Sequence, residues 1–242
     1  MSELVKPYHQ DQEKKQQVAT MFDNIANNYD LLNRVLSLGI DQSWRKKAIN
    51  QLKDIQPKYI LDVATGTGDV ALMTMDLLHP DTIIGVDISK QMLEIGKNKI
   101  EQKHLSNQIH LELGDSENLR FEDNSFDAVT VAFGVRNFEN LDKGLKEIYR
   151  VLKPNGRLVV LEFSKPSIFP FKQIYNFYFK YILPTIGRLT SKDNRAYSYL
   201  YESVQAFPDN EAFIKKLANQ GFINNQKQSL TLGICSIYQG NK

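Results

Sequence analysis

The chain alternates short apolar runs with amphipathic stretches. Tyr59–Val63, Thr82–Asp87, Ile109–Leu113, Phe126–Ala132 and Arg157–Phe163 are apolar runs without helical spacing, mostly rich in β-branched residues. Such runs predict strands covered on both faces of a parallel sheet. Between them, apolar positions recur at helical spacing. Val70, Ala71, Met75 and Leu78 follow the first run, and a helix is predicted from Ser89 to about Gln102. Leu141, Leu145, Ile148, Tyr149 and Leu152 form a further helical face, stopped at Lys153-Pro154-Asn155-Gly156. Pro208 opens a helix carrying Phe213, Ile214 and Leu217, ended by Gly221, and strands are predicted at Phe222–Leu230 and Gly233–Tyr238. Tight turns around these two strands predict an antiparallel closure. The pattern as a whole predicts an α/β fold: seven strands, mostly parallel with an antiparallel last strand, and helices on both faces.

Two regions break the alternation. Residues 1–17 are polar and read as a flexible tail, and 18–57 as a helical cap. In that cap Phe22, Ile25, Ala26 and Tyr29 share one helical face, and a second helix runs from Trp44 through Leu52, capped by Asp41 or Ser43. Residues 58–163 form the nucleotide-binding core and 208–242 complete it. Between them, 164–207 carries Phe169, Phe171, Tyr175, Phe177, Tyr178, Phe179 and Tyr181 among Lys165, Lys172 and Lys180, then Tyr197, Tyr199 and Tyr201 near Arg188 and Arg195. That composition predicts a helical insertion after strand five. It serves either as core or as a lid facing an apolar substrate.

The candidate chemistry sits at the carboxyl ends of the strands, where open α/β sheets bind ligands. Thr65-Gly66-Thr67-Gly68 joins the first strand to a helix. Glycines there let a ligand approach the backbone, and the helix N–H groups face it. Gly66-Thr67-Gly68-Asp69-Val70-Ala71 also satisfies a dinucleotide fingerprint, which points to NAD. Asp62 and Asp69 beside the turn argue against a pyrophosphate and for a ligand with a cationic end. Asp87, followed by Ile88, lies about twenty residues past the glycines, where a carboxylate accepts hydrogen bonds from ribose hydroxyls. Asp115-Ser116 ends the third strand and suits an adenine amino group. Arg136 and Asn137 leave the fourth strand toward the substrate side, and Tyr29 leads into the turn from the cap. Tyr149 and Lys153 match a short-chain dehydrogenase pair, but the helical stripe claims Tyr149 and the helix exit claims Lys153.

Composition narrows the alternatives. With 242 residues, 42% hydrophobic and 24% charged, the chain is an ordinary globular protein. A net charge of +2 without a basic stripe argues against a nucleic-acid partner. The single cysteine, Cys235, forbids a disulfide within the chain and suits a cytoplasmic setting. Four scattered histidines offer no metal site. No run approaches the ~18 apolar residues of a membrane span.

Asp62, Gly66-Thr67-Gly68, Asp87, Asp115-Ser116 and Lys153-Pro154-Asn155-Gly156 resemble the class I, Rossmann-like S-adenosylmethionine methyltransferases. Tyr29-Asp30-Leu31-Leu32-Asn33 through Trp44, Phe133-Gly134-Val135-Arg136-Asn137, Leu161-Glu162-Phe163-Ser164-Lys165-Pro166 and Tyr197–Phe207 are similar, more narrowly, to the menaquinone/ubiquinone-biosynthesis C-methyltransferase family. The likeness covers about residues 18–240. Asp41, where many members carry His, and Asn155, where a second glycine is usual, depart from it. The resemblance implies S-adenosylmethionine as cofactor and a prenylated naphthoquinol as substrate, methylated on a ring carbon. It also implies cofactor contacts from Asp62, Gly66, Thr67, Gly68, Asp87, Ile88, Asp115 and Ser116, and catalytic roles for Arg136, Asn137 and Tyr29. A peripheral contact with the inner face of the cytoplasmic membrane and a homodimer are compatible with it. A benzoquinol substrate, an NAD-dependent reductase and a non-catalytic cofactor-binding protein stand as alternatives at this point.

Overall fold

The computed structural model describes residues 5–8, 11–37, 39–166, 169–177 and 194–242. Seven strands form one sheet: β1 (Tyr59–Val63), β2 (Thr82–Asp87), β3 (Ile109–Leu113), β4 (Phe126–Ala132), β5 (Leu152–Phe163), β6 (Ile223–Leu230) and β7 (Cys235–Asn241). Their order is β3-β2-β1-β4-β5-β7-β6. The first five pair in parallel, and β7 runs antiparallel to both β5 and β6. The helices are α1 (Lys14–Ser37), α2 (Ile40–Ile49), α3 (Asp69–Leu78), α4 (Lys90–Gln102) and α5 (Leu141–Val151), then α6 (Phe171–Phe177), α7 (Asn194–Ala206) and α8 (Glu211–Asn219) among the described residues.

Alternation along each strand divides the core in two. On one face Leu61, Val63, Val129, Val131, Leu158 and Val160 meet Leu145 and Ile148 of α5 and Phe213 and Leu217 of α8. On the other, Ile60, Ile83, Leu111, Ala128 and Val159 meet Trp44 and Ala48 of α2, Ala71 and Met75 of α3, and Leu93 and Ile100 of α4. A third cluster meets the second at Phe163 and Ile234. Val18 and Met21 of α1 pack on Tyr175 of α6 and on Ala196 and Tyr199 of α7.

Several boundaries differ from the sequence reading. α1 begins at Lys14, inside the stretch read as a tail, because Lys14, Gln17 and Pro7 are buried against the fold. α2 begins at Ile40, so Asp41 lies within it and does not cap it; the cap position is Gly39, in the left-handed region at φ +76°. Leu152 belongs to β5, where it pairs with Phe126, and residues 153–156 bulge before pairing resumes at Ala128–Arg157. α8 starts after Asn210, not at Pro208. Within the insertion Tyr175 and Tyr199 are core, whereas Phe169 and Phe177 are 78% and 59% exposed. Tyr178, Phe179, Lys180, Tyr181 and Arg188 lie outside the described residues, as do the side chains of Phe171 and Tyr197.

Candidate active site

The carboxyl ends of β1 to β4 open into a cleft. Ala64 and Gly66 line it after β1, Asp87 and Ile88 after β2, and Gly114, Asp115, Ser116 and Glu117 after β3. Phe133, Gly134, Asn137, Phe138 and Glu139 line it after β4. α1 covers it with Lys15, Val18, Phe22 and Tyr29. Of the expected site residues, Gly66, Asp87, Ile88, Asp115, Ser116, Asn137 and Tyr29 therefore meet at one cleft. Asp62, Thr67, Gly68 and Arg136 do not line it.

Each of those four is committed elsewhere. Asp62 is buried within β1, where its two carboxylate oxygens accept from the hydroxyls of Thr65 and Thr130, both at 2.6 Å. Burial lifts its pKa to about 6, against the pull of these two hydroxyls. Asp62 therefore sets the shape of the turn from beneath. Thr67 donates to Asp30 of α1 at 2.7 Å. Gly68 caps α3 at φ +76°. Arg136 forms a buried ion pair with Glu162 at 2.8 Å, stacks over Phe163 at 5.6 Å, and donates to the Phe133 carbonyl. Asp69 pairs with Lys99 at 2.7 Å, so its charge is neutralised outside the cleft. The cleft's acidity comes from Asp87, Asp115, Glu117 and Glu139, faced by Lys15.

The turn itself is held by backbone geometry. Gly66 adopts φ +58°, and a Cβ there would meet nothing within 4 Å, so its α-carbon faces open space. Its N–H donates to Asp87 Oδ2 at 2.8 Å, while Asp87 Oδ1 accepts from Ser89 N–H at 2.9 Å. Asp87 thus bridges two turns. A carboxylate has about four acceptor sites, so two lone pairs remain for a ligand. Burial raises its pKa, which the N–H bonds from Ser89 and Gly66 oppose. Ser89, not Asp87, caps α4. Gly134 is required by close approach, since a Cβ there would stand 2.5 Å from Ala64 Cβ.

Beside the cleft lies a second polar group. Asn137 is only 9% exposed, and its Oδ1 has no hydrogen-bond partner. A buried acceptor left unpaired is costly unless a ligand completes it. Burial pushes the Tyr29 phenol up, opposed by Arg45, a hydrogen bond to Asn33, and Arg136. Arg45 is paired with Asp41 at 3.4 Å and stacks over Phe133 at 5.7 Å, and Asp41 accepts from Ser37 at 2.7 Å. Position 41 is thus a charge partner for Arg45. Trp44, Phe133 and Phe163 pack as an aromatic trio between the two arginines.

Sequence reasoning missed Lys14, Glu117 and Glu162. Glu162 carried a signal, because a lone acid inside an apolar strand requires a buried partner. Glu117 accepts from the backbone N–H groups of Glu139 and Asn140, each at 2.8 Å, and so fixes the turn after Asn137. Nothing local marks Glu117 or Lys14.

The residues present suit an adenosyl ligand with a cationic end. Acids supply acceptors and attract positive charge, Met92, Ile88, Val86 and Phe138 give apolar walls, and Asn137 Oδ1 is an unspent acceptor. Comparison with known proteins agrees with this geometry. The ubiE/COQ5 methyltransferase family model matches residues 10–242. A demethylmenaquinone methyltransferase of Bacteroides fragilis is 52% identical over 240 residues, covering 99% of this chain and 98% of that protein. A ubiquinone/menaquinone biosynthesis C-methyltransferase UbiE of Geotalea daltonii is 48% identical, covering 95% and 98%. Among solved structures, a possible histamine N-methyltransferase of Thermotoga maritima aligns at TM-score 0.66 and 18% identity, covering 93% of this chain and 99% of that one. A phosphoethanolamine N-methyltransferase of Haemonchus contortus, in complex with S-adenosylmethionine, aligns at 0.57 and 15%, covering 76% and 48%. At that identity the structures support the fold alone. The sequence match spans nearly the whole chain, and the chain belongs to the ubiE/COQ5 methyltransferase family.

Proposed function

We propose that this enzyme transfers a methyl group from S-adenosylmethionine to a ring carbon of a reduced, prenylated naphthoquinol, converting demethylmenaquinol to menaquinol. The carrying observation is the acid-lined cleft at the strand ends, roofed by Tyr29 and closed on the substrate side by an unpaired Asn137. The name of the relative at 52% identity supports the naphthoquinol. A benzoquinol is the second reading, since the name of the relative at 48% lists ubiquinone beside menaquinone.

S-adenosylmethionine, when bound, supplies a methyl group on a positively charged sulfur. The chain's own residues do the rest. Asp87 would accept from the ribose hydroxyls, with Gly66 and Ile88 beside it, and Asp115 and Ser116 would hold the adenine edge. Asp62, Thr67 and Gly68 hold the turn that presents Gly66. A quinol ring attacks only once an oxygen has lost its proton, so the site must stabilise negative charge next to the reacting carbon. Tyr29 and Asn137 orient the ring. Arg136, paired with Glu162 and bonded to the Phe133 carbonyl, holds the turn that carries Asn137 and is not a contact group. The exposed Phe169, Phe177 and Lys172 suit a prenyl tail and a membrane surface. No helix among the described residues is long and apolar enough to cross a membrane. The test is methyl transfer from labelled S-adenosylmethionine to a demethylnaphthoquinone with and without dithionite. Product should form only with the reductant, and equal rates with the oxidised ring would sink this reading.

A further inference from the structure

Helix α1 is fastened to the cleft by polar contacts along its length. Lys14 opens the helix with its ammonium buried, yet among the described residues it makes no ion pair. It donates instead to the carbonyls of Phe138 at 2.9 Å and Arg136 at 3.2 Å, on either side of Asn137. The Lys14 backbone N–H donates to Glu139 Oε1 at 2.7 Å. The next residue, Lys15, faces Asp115 at 3.5 Å. Asp23 accepts from Ser89 Oγ at 2.6 Å and from Gln91 N–H at 3.0 Å. Asp30 takes Thr67 Oγ1 at 2.7 Å and Lys99 Nζ at 2.5 Å. Every one of these partners belongs to a loop or helix bordering the cleft. The apolar face of α1 packs on Tyr175, Ala196 and Tyr199 of the insertion, and this cluster touches the sheet domain at Ile88, Phe163 and Ile234. The roof therefore has its own small core and joins the sheet domain through those few apolar side chains and the polar contacts above.

We propose that Lys14 is a positioning residue that latches this roof to the turn carrying Arg136 and Asn137. Closing α1 over the cofactor and setting the substrate-side turn then become one event. The inference rests on the cofactor occupying this cleft. A buried ammonium that binds only carbonyls is costly, and apolar residues would fill the same space more cheaply. What it supplies that a methionine would not is a pair of bonds across the joint between roof and turn. Release of the cofactor product then requires that joint to open.

The latch also has a pH signature. Burial lowers the Lys14 pKa to about 8, Glu139 and Glu117 oppose that shift, and Arg136 adds to it. The adjacent Lys15 pairs with Asp115 at 3.5 Å. Deprotonation above that value leaves a neutral amine and loosens the joint.

The probe is S-adenosylhomocysteine, with its dissociation rate followed by stopped flow from pH 7 to 9. Wild type should release it about tenfold faster at the alkaline end, the scale of losing a charge-assisted hydrogen bond. Lys14→Met should release it fast at every pH, and amide exchange at residues 135–139 should quicken in the same variant. A slow rate in Lys14→Met, or an unchanged pH slope in it, would overturn the latch. If that variant does not fold, the wild-type pH profile with exchange at 135–139 decides, and a flat profile overturns it. No binding by wild type at any pH would instead defeat the assignment of the cofactor to this cleft.

Discussion

The walls and the roof of the cleft are built on different physics. The walls rise from β1, β2 and β4, paired on both sides by backbone hydrogen bonds, and from the edge strand β3, paired with β2, in a sheet covered on both faces by helices. Several of their polar groups are bound within the wall. Asp62 satisfies two threonines, Glu162 and Arg136 satisfy each other, and Asp87 ties two turns. The roof, α1 with α6 and α7, has a core of a few side chains and rests on ion pairs and carbonyl contacts at its ends. A wall group cannot leave without exposing another buried charge or hydroxyl. A roof group can leave into water. In the proposed reading the walls fix where the cofactor sits, and the roof governs how it comes and goes.

The sharpest way to break this contrast is to strip one partner from a wall pair. Arg136→Ala leaves the Glu162 carboxylate buried and alone, which should cost about 3–5 kcal/mol in urea unfolding. Asp30→Ala in the roof, where Asp30 and Lys99 are each about a quarter exposed, should cost no more than about 1 kcal/mol. Equal losses would erase the distinction. The same experiment separates stability from chemistry at Arg136, since a fall in turnover counts for mechanism only in protein that remains folded.

Acid titration sharpens the wall side next. The Asp62 pKa is raised from 3.8 to about 6 in the folded state, so between those values the fold takes up a proton that the unfolded chain does not. The stability this group contributes is full below pH 3.8 and is lost as pH rises through 6, amounting to about 3 kcal/mol. Asp62→Asn should flatten that part of the stability-pH curve, read from denaturant midpoints at pH 4, 5, 6 and 7. An unaltered curve would mean that Asp62 stays charged throughout.

The smallest expected effect lies on the outer surface of the roof. Phe169→Ser with Phe177→Ser removes rings that are mostly in water, so stability should hold within about 0.5 kcal/mol. Sedimentation with anionic vesicles should weaken, and KM should rise for a long-tailed quinol but not for a tail-less one. If both substrates suffer equally, these rings serve packing rather than the tail.

Pattern along the chain determined most of the architecture. Continuous apolar runs separated by helical stripes specify a parallel sheet, because each strand must be covered on both faces, and the glycine turn after β1 marks its functional end. The order of Gly66, Asp87 and Asp115 along the chain was legible for the same reason: each lies at the carboxyl end of a consecutive strand. Folding decided which of the candidate groups are free. Asp62, Thr67 and Arg136 look like ligand contacts in the sequence, yet their partners Thr130, Asp30 and Glu162 lie 68, 37 and 26 residues away. Folding also turned a polar stretch read as a tail into the start of α1. Lys14 finds its carbonyls 124 and 122 residues downstream. Local pattern encodes which face of an element is apolar; it carries no record of which distant polar group meets another, and those meetings determine what remains for a ligand.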